Sequence, residues 1–471
     1  MGSSDELAFK SLSELRELIA SKALSPVELV EHYLRRIEKF DEQINSFVTV
    51  VGDLALETAR ETARQVAAGD SRPLLGIPIP IKDLTETAGI KTTHSSRAFA
   101  DYVPDRDAAV VRRIKEAGAI VIGKTNASEF GTWPVTESDL NGPCRNPWNP
   151  ELTAGGSSGG AAAAVAAGFA PAAQGSDGGG SIRIPASCCG IAGMKPSRGR
   201  ISRGPYLGEF WAGFSTDGPL ARSAADLALM LDVMRGHEPG DPYWAPEPMR
   251  PYVEEVNTDP GPLRIGVLDA TPTGVSVDPQ VLAGLRGALE LLESLGHRIE
   301  ETRTDWVDPD LSSHFIKVVQ SSTAYYPGID LDKIEAGNRA LADVAEATSS
   351  LTYVKAVVAM QEFTRSAVAL WSDIDVLVTP TLALPPVPVG WIFEEDDVWM
   401  QLIRAGMFMP FTPLANITGQ PAMSLPLAHT EDDVPIGIQF VGPPAGEDLV
   451  FRLAGQLEAA APWSHRHPPL G

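Results

Sequence analysis

Residues 155–196 read GGSSGGAAAAVAAGFAPAAQGSDGGGSIRIPASCCGIAGMKP, two glycine blocks joined by an Ala-rich apolar run. Gly155–Gly160 opens a helix through the alanines, and Gly175–Gly180 delivers Ser181 directly behind glycine. Glycine lets the backbone approach a ligand closely and turn its N–H groups inward. Such a run before a serine can supply oxyanion donors, each worth about 3–4 kcal/mol in hydrolases. Taken alone, a glycine-rich loop ending in serine is an ordinary turn.

Upstream, Leu75–Leu84 alternates Ile77, Ile79 and Ile81 with Pro78, Pro80 and Lys82, a period-2 strand whose prolines suit an edge or irregular strand. A lysine among these isoleucines is partly desolvated, which lowers its pKa and lets it accept a proton. A serine hydroxyl needs such an adjacent base to become nucleophilic. The competing reading pairs Lys82 with Asp83 or lets its amine reach solvent.

The first 70 residues read as helical, with capping boxes at Ser11–Glu14 and Ser25–Glu28, the second with Pro26 at the first helical position. Leu54–Ala68 is a third helix, Ala108–Ala117 a fourth, and Ala119–Gly123 a short strand, followed by a Pro/Gly/Asn-rich loop over Trp133–Thr153. Downstream, Ala221–Met234, Pro279–Leu295 and Glu447–Ala459 read as helices; Leu263–Leu268, Ile374–Thr379 and Pro435–Val441 read as strands. This alternation predicts an α/β layered fold with a mixed sheet. With no repeat, low-complexity tail or clear linker, residues 1–471 are expected to form one domain.

The formal charge of -23 disfavours nucleic-acid and anionic-membrane partners and fits a solvated acidic surface. Cys144, Cys188 and Cys189 lack zinc-site spacing and suit a reducing, cytoplasmic setting. Met1–Lys10 has no basic or apolar leader region, and the apolar run Ala161–Ala173 is too short for a membrane span.

Three local patterns mislead. Gly118–Thr125 satisfies GxxxxGK[ST], but its four intervening residues are themselves the strand, so their amides cannot cradle phosphate. Gly155–Gly160 fits GxSxG at Ser157 and at Ser158, yet the polar, Pro-containing Asn146–Thr153 is not the hydrophobic strand a nucleophile elbow follows. No histidine has a context that marks it as a base, so an α/β-hydrolase-type esterase is the second choice. No GxGxxG follows a strand and no HExxH occurs, which leaves dinucleotide and zinc-protease functions without support.

The 155–196 stretch, with GIPIPIKDL at 76–84, GKTN at 123–126, NITGQPAMSLP at 416–426 and PIGIQ at 435–439, resembles the amidase signature family. Several long blocks occur in the family's order and cover most of the chain. Within the family, the Arg145–Trp148, Arg198–Ser202 and C-terminal blocks look most like hydrolases of nylon-type cyclic amide oligomers, with aryl acylamidases also close.

The resemblance implies a single domain with a central mixed, twisted sheet covered by helices on both faces. Residues 1–70 would form a helical layer, 75–200 the catalytic core, and 201–471 the remaining sheet and substrate pocket. It implies a Ser–cis-Ser–Lys triad: Ser181 as nucleophile, Ser157 as bridging serine after a cis peptide bond, and Lys82 as base. Gly178, Gly179 and Gly180 would serve the oxyanion, Gly131 would line the acyl side, and Ser158, Ser176, Asp177 and Arg183 would tie the glycine loops together. No cofactor or metal is implied. One departure is Gly178, where the family commonly has Thr or Ile; glycine there leaves the loop more mobile or makes space for substrate.

The expected partner is a small or oligomeric, fairly apolar amide, with carbamates (urethanes) and esters also cleavable. Tyr325, Tyr326, Met407, Phe408, Met409 and Phe411 are candidate pocket residues, although aromatic and Met side chains are commonly core. A partner-dependent glutamine amidotransferase subunit is a further alternative, disfavoured because Ile184 stands where those subunits often have Gln. The assembly is left open, a homodimer included.

Overall fold

Eleven strands form one mixed sheet in the computed structural model, which describes residues 3–271, 273–300, 302, 308 and 310–470. The leader reading at Met1 and Gly2 lies outside the described residues. In chain order the strands of this sheet are β1 (Phe47–Val50), β2 (Pro78–Lys82), β3 (Ile120–Thr125), β4 (Ala172–Asp177), β5 (Ala192–Lys195) and β6 (Thr216–Ala221). They continue with β7 (Arg264–Val267), β8 (Arg298–Glu300), β9 (Val376–Pro380), β10 (Ala422–His429) and β11 (Pro435–Val441). Spatially they run β1-β3-β2-β4-β6-β5-β10-β11-β9-β7-β8. The β3-β2-β4 and β9-β7-β8 neighbours pair in parallel; the other pairs are antiparallel. Helices flank this sheet, as the single-domain α/β expectation required.

Both N-terminal capping boxes form. Glu14 N–H donates to Ser11 Oγ at 3.2 Å while Ser11 N–H donates to Glu14 Oε2 at 2.8 Å, and Ser25 N–H donates to Glu28 Oε2 at 2.8 Å. The first 70 residues are not purely helical, however: β1 lies between the helices Pro26–Ile44 and Gly52–Ala67 and closes one edge of the sheet.

Of the two placements expected for Pro78–Lys82, an edge or an irregular strand, the second holds: β2 lies inside the sheet between β3 and β4. Proline cannot donate to a ladder, and β2 accommodates this by irregularity. Its register with β3 shifts between Ile79 and Ile81, and Ile81↔Gln174 is its pairing with β4. Beyond that pair, Lys82 N–H donates to the Gln174 side chain at 3.0 Å.

The stretch read as a loop over Trp133–Thr153 also changes. Glu137–Ser138 pairs with Gly142–Pro143, and Arg145–Asn146 pairs with Asn149–Thr153, in two small ribbons outside the main sheet. Asn149–Thr153 is thus a strand, but not one that could present a nucleophile elbow from the central sheet.

The Ala-rich helix Gly159–Ala166 is buried along its whole length, and Arg183–Cys189 is likewise buried throughout. The first packs on β4 and β6, the second on β10 and β11, and the two pack on each other. Small side chains let both helices sit close to the sheet, so their N-terminal ends converge where β2 and β4 finish. Among the described residues, no helix is long and apolar enough to cross a membrane.

Candidate active site

Lys82 is the last residue of β2, and Asp177 is the last residue of its parallel neighbour β4. Ser157 and Ser158 immediately precede the helix Gly159–Ala166, and Ser181 lies two positions before the helix Arg183–Cys189. The peptide bond Gly156–Ser157 is cis. Lys82 is fully buried, and its Nζ donates to Ser157 Oγ at 2.7 Å and to Ser176 Oγ at 3.0 Å. Burial pulls the Lys82 amine down to about 7; the Asp177 and Asp217 carboxylates resist that fall without reversing it. The alternative pairing with Asp83 does not form: the Asp83 carboxylate instead accepts from Thr93 N–H at 3.1 Å, and Lys82 keeps its amine at the serines.

The two serine loops are tied together. Ser158 N–H donates to Ser181 O at 3.1 Å, and Ser158 Oγ donates to Ser176 O at 3.1 Å. Asp177 receives Gly180 N–H at 2.8 Å and Ile182 N–H at 3.1 Å, and it pairs with Arg183 at 2.8 Å in an ion pair with no solvent exposure on either side. Burial would push Asp177 up, but the Arg183 guanidinium outweighs it and holds the carboxyl at about 2. Arg183 is further bonded to Thr412 O, Gln439 Oε1 and Asn416 Oδ1, so its charge is satisfied on several sides.

In the glycine loop expected to serve an oxyanion, one of the N–H groups is already occupied. Gly180 N–H is committed to Asp177, and its φ of +135° makes it the turn residue rather than a free donor. Among the described residues, the N–H groups of Gly178, Gly179 and Ser181 carry no hydrogen bond. The space a side chain would need at Gly178 is taken by Trp211: a Cβ there would lie 2.7 Å from its ring. Trp211 is fixed in turn, its Nε1–H donating to Ser322 Oγ at 2.8 Å and its N–H to Tyr325 OH at 3.0 Å.

Two cavities meet at Ser181. The larger, about 310 Å³, is lined by Ser157, Ser176, Gly178 and Ser181 and walled by aromatic side chains and by Glu86, Arg203 and Asp217. The smaller, about 140 Å³, is lined by Gly179 and Ser181 with Leu311, Phe315, Leu402 and Met409. Gly131 lines both, so its backbone is not confined to one side. Of the pocket candidates, Tyr325 and Tyr326 face the larger cavity and Met409 the smaller. Phe408 and Phe411 are fully buried core residues, and Met407 points outward at 37% exposure, so none of these three lines either cavity.

Several site residues carry no local sequence signal. Asp217, in β6, accepts from Gln174 at 2.9 Å and pairs with Arg203 at 3.3 Å behind Lys82. His94 lines the larger cavity, yet no hydrogen bond joins it to Ser157 or Ser181, and burial lowers its pKa to about 3. Among the described residues, no histidine is hydrogen-bonded to Ser157, Ser158 or Ser181, so no serine–histidine pair forms there. Lys124 of the P-loop-like pattern is buried in β3, donating to Thr85 O at 2.6 Å and Thr92 Oγ1 at 2.7 Å. Among the described residues, no group of three His, Cys, Asp or Glu side chains is placed to hold a metal ion.

The sequence profile of the family described as Amidase matches residues 28–451. The 6-aminohexanoate-cyclic-dimer hydrolase of Pseudomonas sp. (strain NK87) is 34% identical over 477 residues, covering 96% of this chain and 95% of that protein. The solved structure of a 6-aminohexanoate cyclic dimer hydrolase complexed with substrate superposes with a TM-score of 0.92 at 32% identity, covering 98% of this chain and 99% of the other. A bacterial aryl acylamidase of the amidase signature enzymes superposes with a TM-score of 0.88 at 27% identity, over 97% of each chain.

Proposed function

The chain belongs to the amidase signature family of carbon–nitrogen hydrolases, and from that premise we propose that it cleaves amides through a Ser181 acyl-enzyme driven by Lys82 acting through Ser157. The observation that carries this reading is the 2.7 Å contact between Lys82 Nζ and Ser157 Oγ in a fully buried setting, on the wall of the cavity that Ser181 also lines. A lysine at about 7 is half neutral at neutral pH and can accept a proton.

Neutral Lys82 takes the proton of Ser157, which takes that of Ser181 as the Ser181 oxygen attacks the carbonyl carbon. The N–H groups of Gly178, Gly179 and Ser181, left without protein partners, are the donors available to the resulting oxyanion. The proton then returns through Ser157 to the leaving nitrogen, the C–N bond breaks, and the acyl group remains on Ser181. Water enters by the same relay and releases the acid. Asp177, Arg183, Ser158 and Ser176 hold the loops in register and do not react.

Carbamates fit the same attack, and esters fit it more readily because their leaving oxygen needs less protonation. A cytoplasmic setting is supported by three buried free thiols. The test is to offer the purified chain, without any partner protein, a simple anilide and its matched ester. Turnover of both supports an independent hydrolase; failure on the anilide without an added partner would favour a subunit role instead.

A further inference from the structure

Ser157 divides the two cavities. In the mechanism above it returns the proton, so the leaving nitrogen must lie within its hydrogen-bond reach. Ser157 lines the larger cavity and not the smaller, whereas Ser181 lines both. The leaving amine therefore extends into the larger cavity and the acyl portion into the apolar smaller one.

The larger cavity is not merely apolar on its far wall. His94, Phe99, Tyr102, Phe130 and Tyr326 form one ring cluster there, with the His94 ring centroid 5.0 Å from Phe99 and 5.1 Å from Tyr326. Glu86 lines the same wall, and its carboxylate is approached by His94 Nε2 at 3.9 Å, too far for a hydrogen bond. His94 is 2% exposed, and its Nδ1 has no hydrogen-bond partner. Among the described residues, no side chain donates a hydrogen bond to the Glu86 carboxylate, so its oxygens are left for a ligand's donor.

Charge accounting singles out Glu86. Arg203 pairs with Asp217 at 3.3 Å and makes no ion pair with Glu86, although its charge still reaches that carboxyl. The Lys124 amine is occupied by Thr85, Thr87 and Thr92. Lys82 faces the serines and is half neutral. What remains on that wall without an ion-paired cation is the Glu86 carboxyl, which burial pushes up and a ligand's cation would hold ionised; set among aromatic rings, it is the combination that receives an organic ammonium.

We propose that the larger cavity accepts a leaving amine bearing a second, protonated amino group, and that Glu86, beside the His94 ring, receives that group. The substrates so selected are mono-acylated diamines, with an apolar acyl group. This assignment rests on the amide-hydrolase reading given above.

The test uses the full chain and amides of one short apolar acid with diaminoalkanes of about three to eight carbons. Each is compared with the alkylamide in which methyl replaces the ammonium, so shape is kept and charge removed. At about pH 8 the ratio of kcat/KM for the charged over the neutral member is expected to reach about tenfold at one chain length and to fall on either side. In Glu86→Gln the ratio should drop to within about twofold of unity, and in Glu86→Asp the peak should move to a longer diamine. A ratio is independent of how much of a variant folds. A wild-type ratio at or below unity at every length, or a tenfold ratio that survives Glu86→Gln, would overturn the assignment. Absence of turnover on the neutral amides as well would overturn the hydrolase reading beneath it.

Discussion

The pH dependence of amide cleavage reads the state of Lys82 directly. Its amine is held at about 7 by burial, against an ordinary lysine at 10.5. The neutral fraction is then about one-tenth at pH 6, one-half at pH 7 and nine-tenths at pH 8. If neutral Lys82 is the base, kcat/KM should rise about tenfold from pH 6 to pH 8 and flatten above it. An unperturbed lysine would give about a hundredfold rise over the same interval and keep climbing tenfold per unit toward pH 10. The assay is initial rates on an uncharged anilide well below KM, so that only the free enzyme titrates. His94, at about 3, is neutral throughout and cannot supply the break. Asp217→Asn removes a carboxylate that raises the Lys82 pKa, so the break should move to lower pH. A profile that climbs without a break past pH 9, or a break that moves upward in Asp217→Asn, would refute the reasoning.

Three further outcomes follow from the same geometry. Because the folded Lys82 pKa lies below the unfolded value, its burial destabilises the fold fully below about pH 7 and less as pH rises toward 10.5. Lys82→Met should therefore abolish amide cleavage yet stabilise the fold by about 1–3 kcal/mol at pH 7, after allowing for the lost hydrogen bonds to Ser157 and Ser176, as read by urea unfolding. Gly178→Ala should cost activity and about 1–3 kcal/mol of stability, because its Cβ meets the Trp211 ring at 2.7 Å; adding Trp211→Leu should recover at least about 1 kcal/mol, measured as a double-mutant cycle. Asp177→Asn leaves Arg183 buried without its carboxylate and should destabilise by about 3–5 kcal/mol. In the wild type the Asp177 contribution should hold above about pH 4 and be lost as pH falls through about 2, which acid unfolding of the two proteins compared side by side can follow.

Much of the site is legible from short blocks. Gly155–Ser158, Gly175–Arg183 and Lys82 stand out because glycine, serine and a lysine among isoleucines are unusual company, and the fold brings all three segments to the ends of β2 and β4. The strands hardest to read are those buried on both faces. β4 (AAQGSD), β5 (AGMK) and β6 (TDGPLA) are wholly buried, so small residues, glycine and proline replace the period-2 alternation that marks a half-exposed strand. The same burial hides Asp217, which sits within β6 and acts on Lys82 from a distant part of the chain. Glu86, His94 and Trp211 have no periodic or motif context; only the tertiary fold brings them to one cavity with Ser181. Phe408 and Phe411, expected in the pocket for their aromatic character, were drawn into the core by the same hydrophobicity that made them candidates.

The most direct test of the central claim is to label the purified chain with a covalent serine-reactive probe and locate the adduct by peptide mapping. One adduct on Ser181, forming far more slowly in Lys82→Ala, is the predicted result. An adduct on Ser157 or Ser158, or a labelling rate indifferent to the loss of the Lys82 amine, would contradict it.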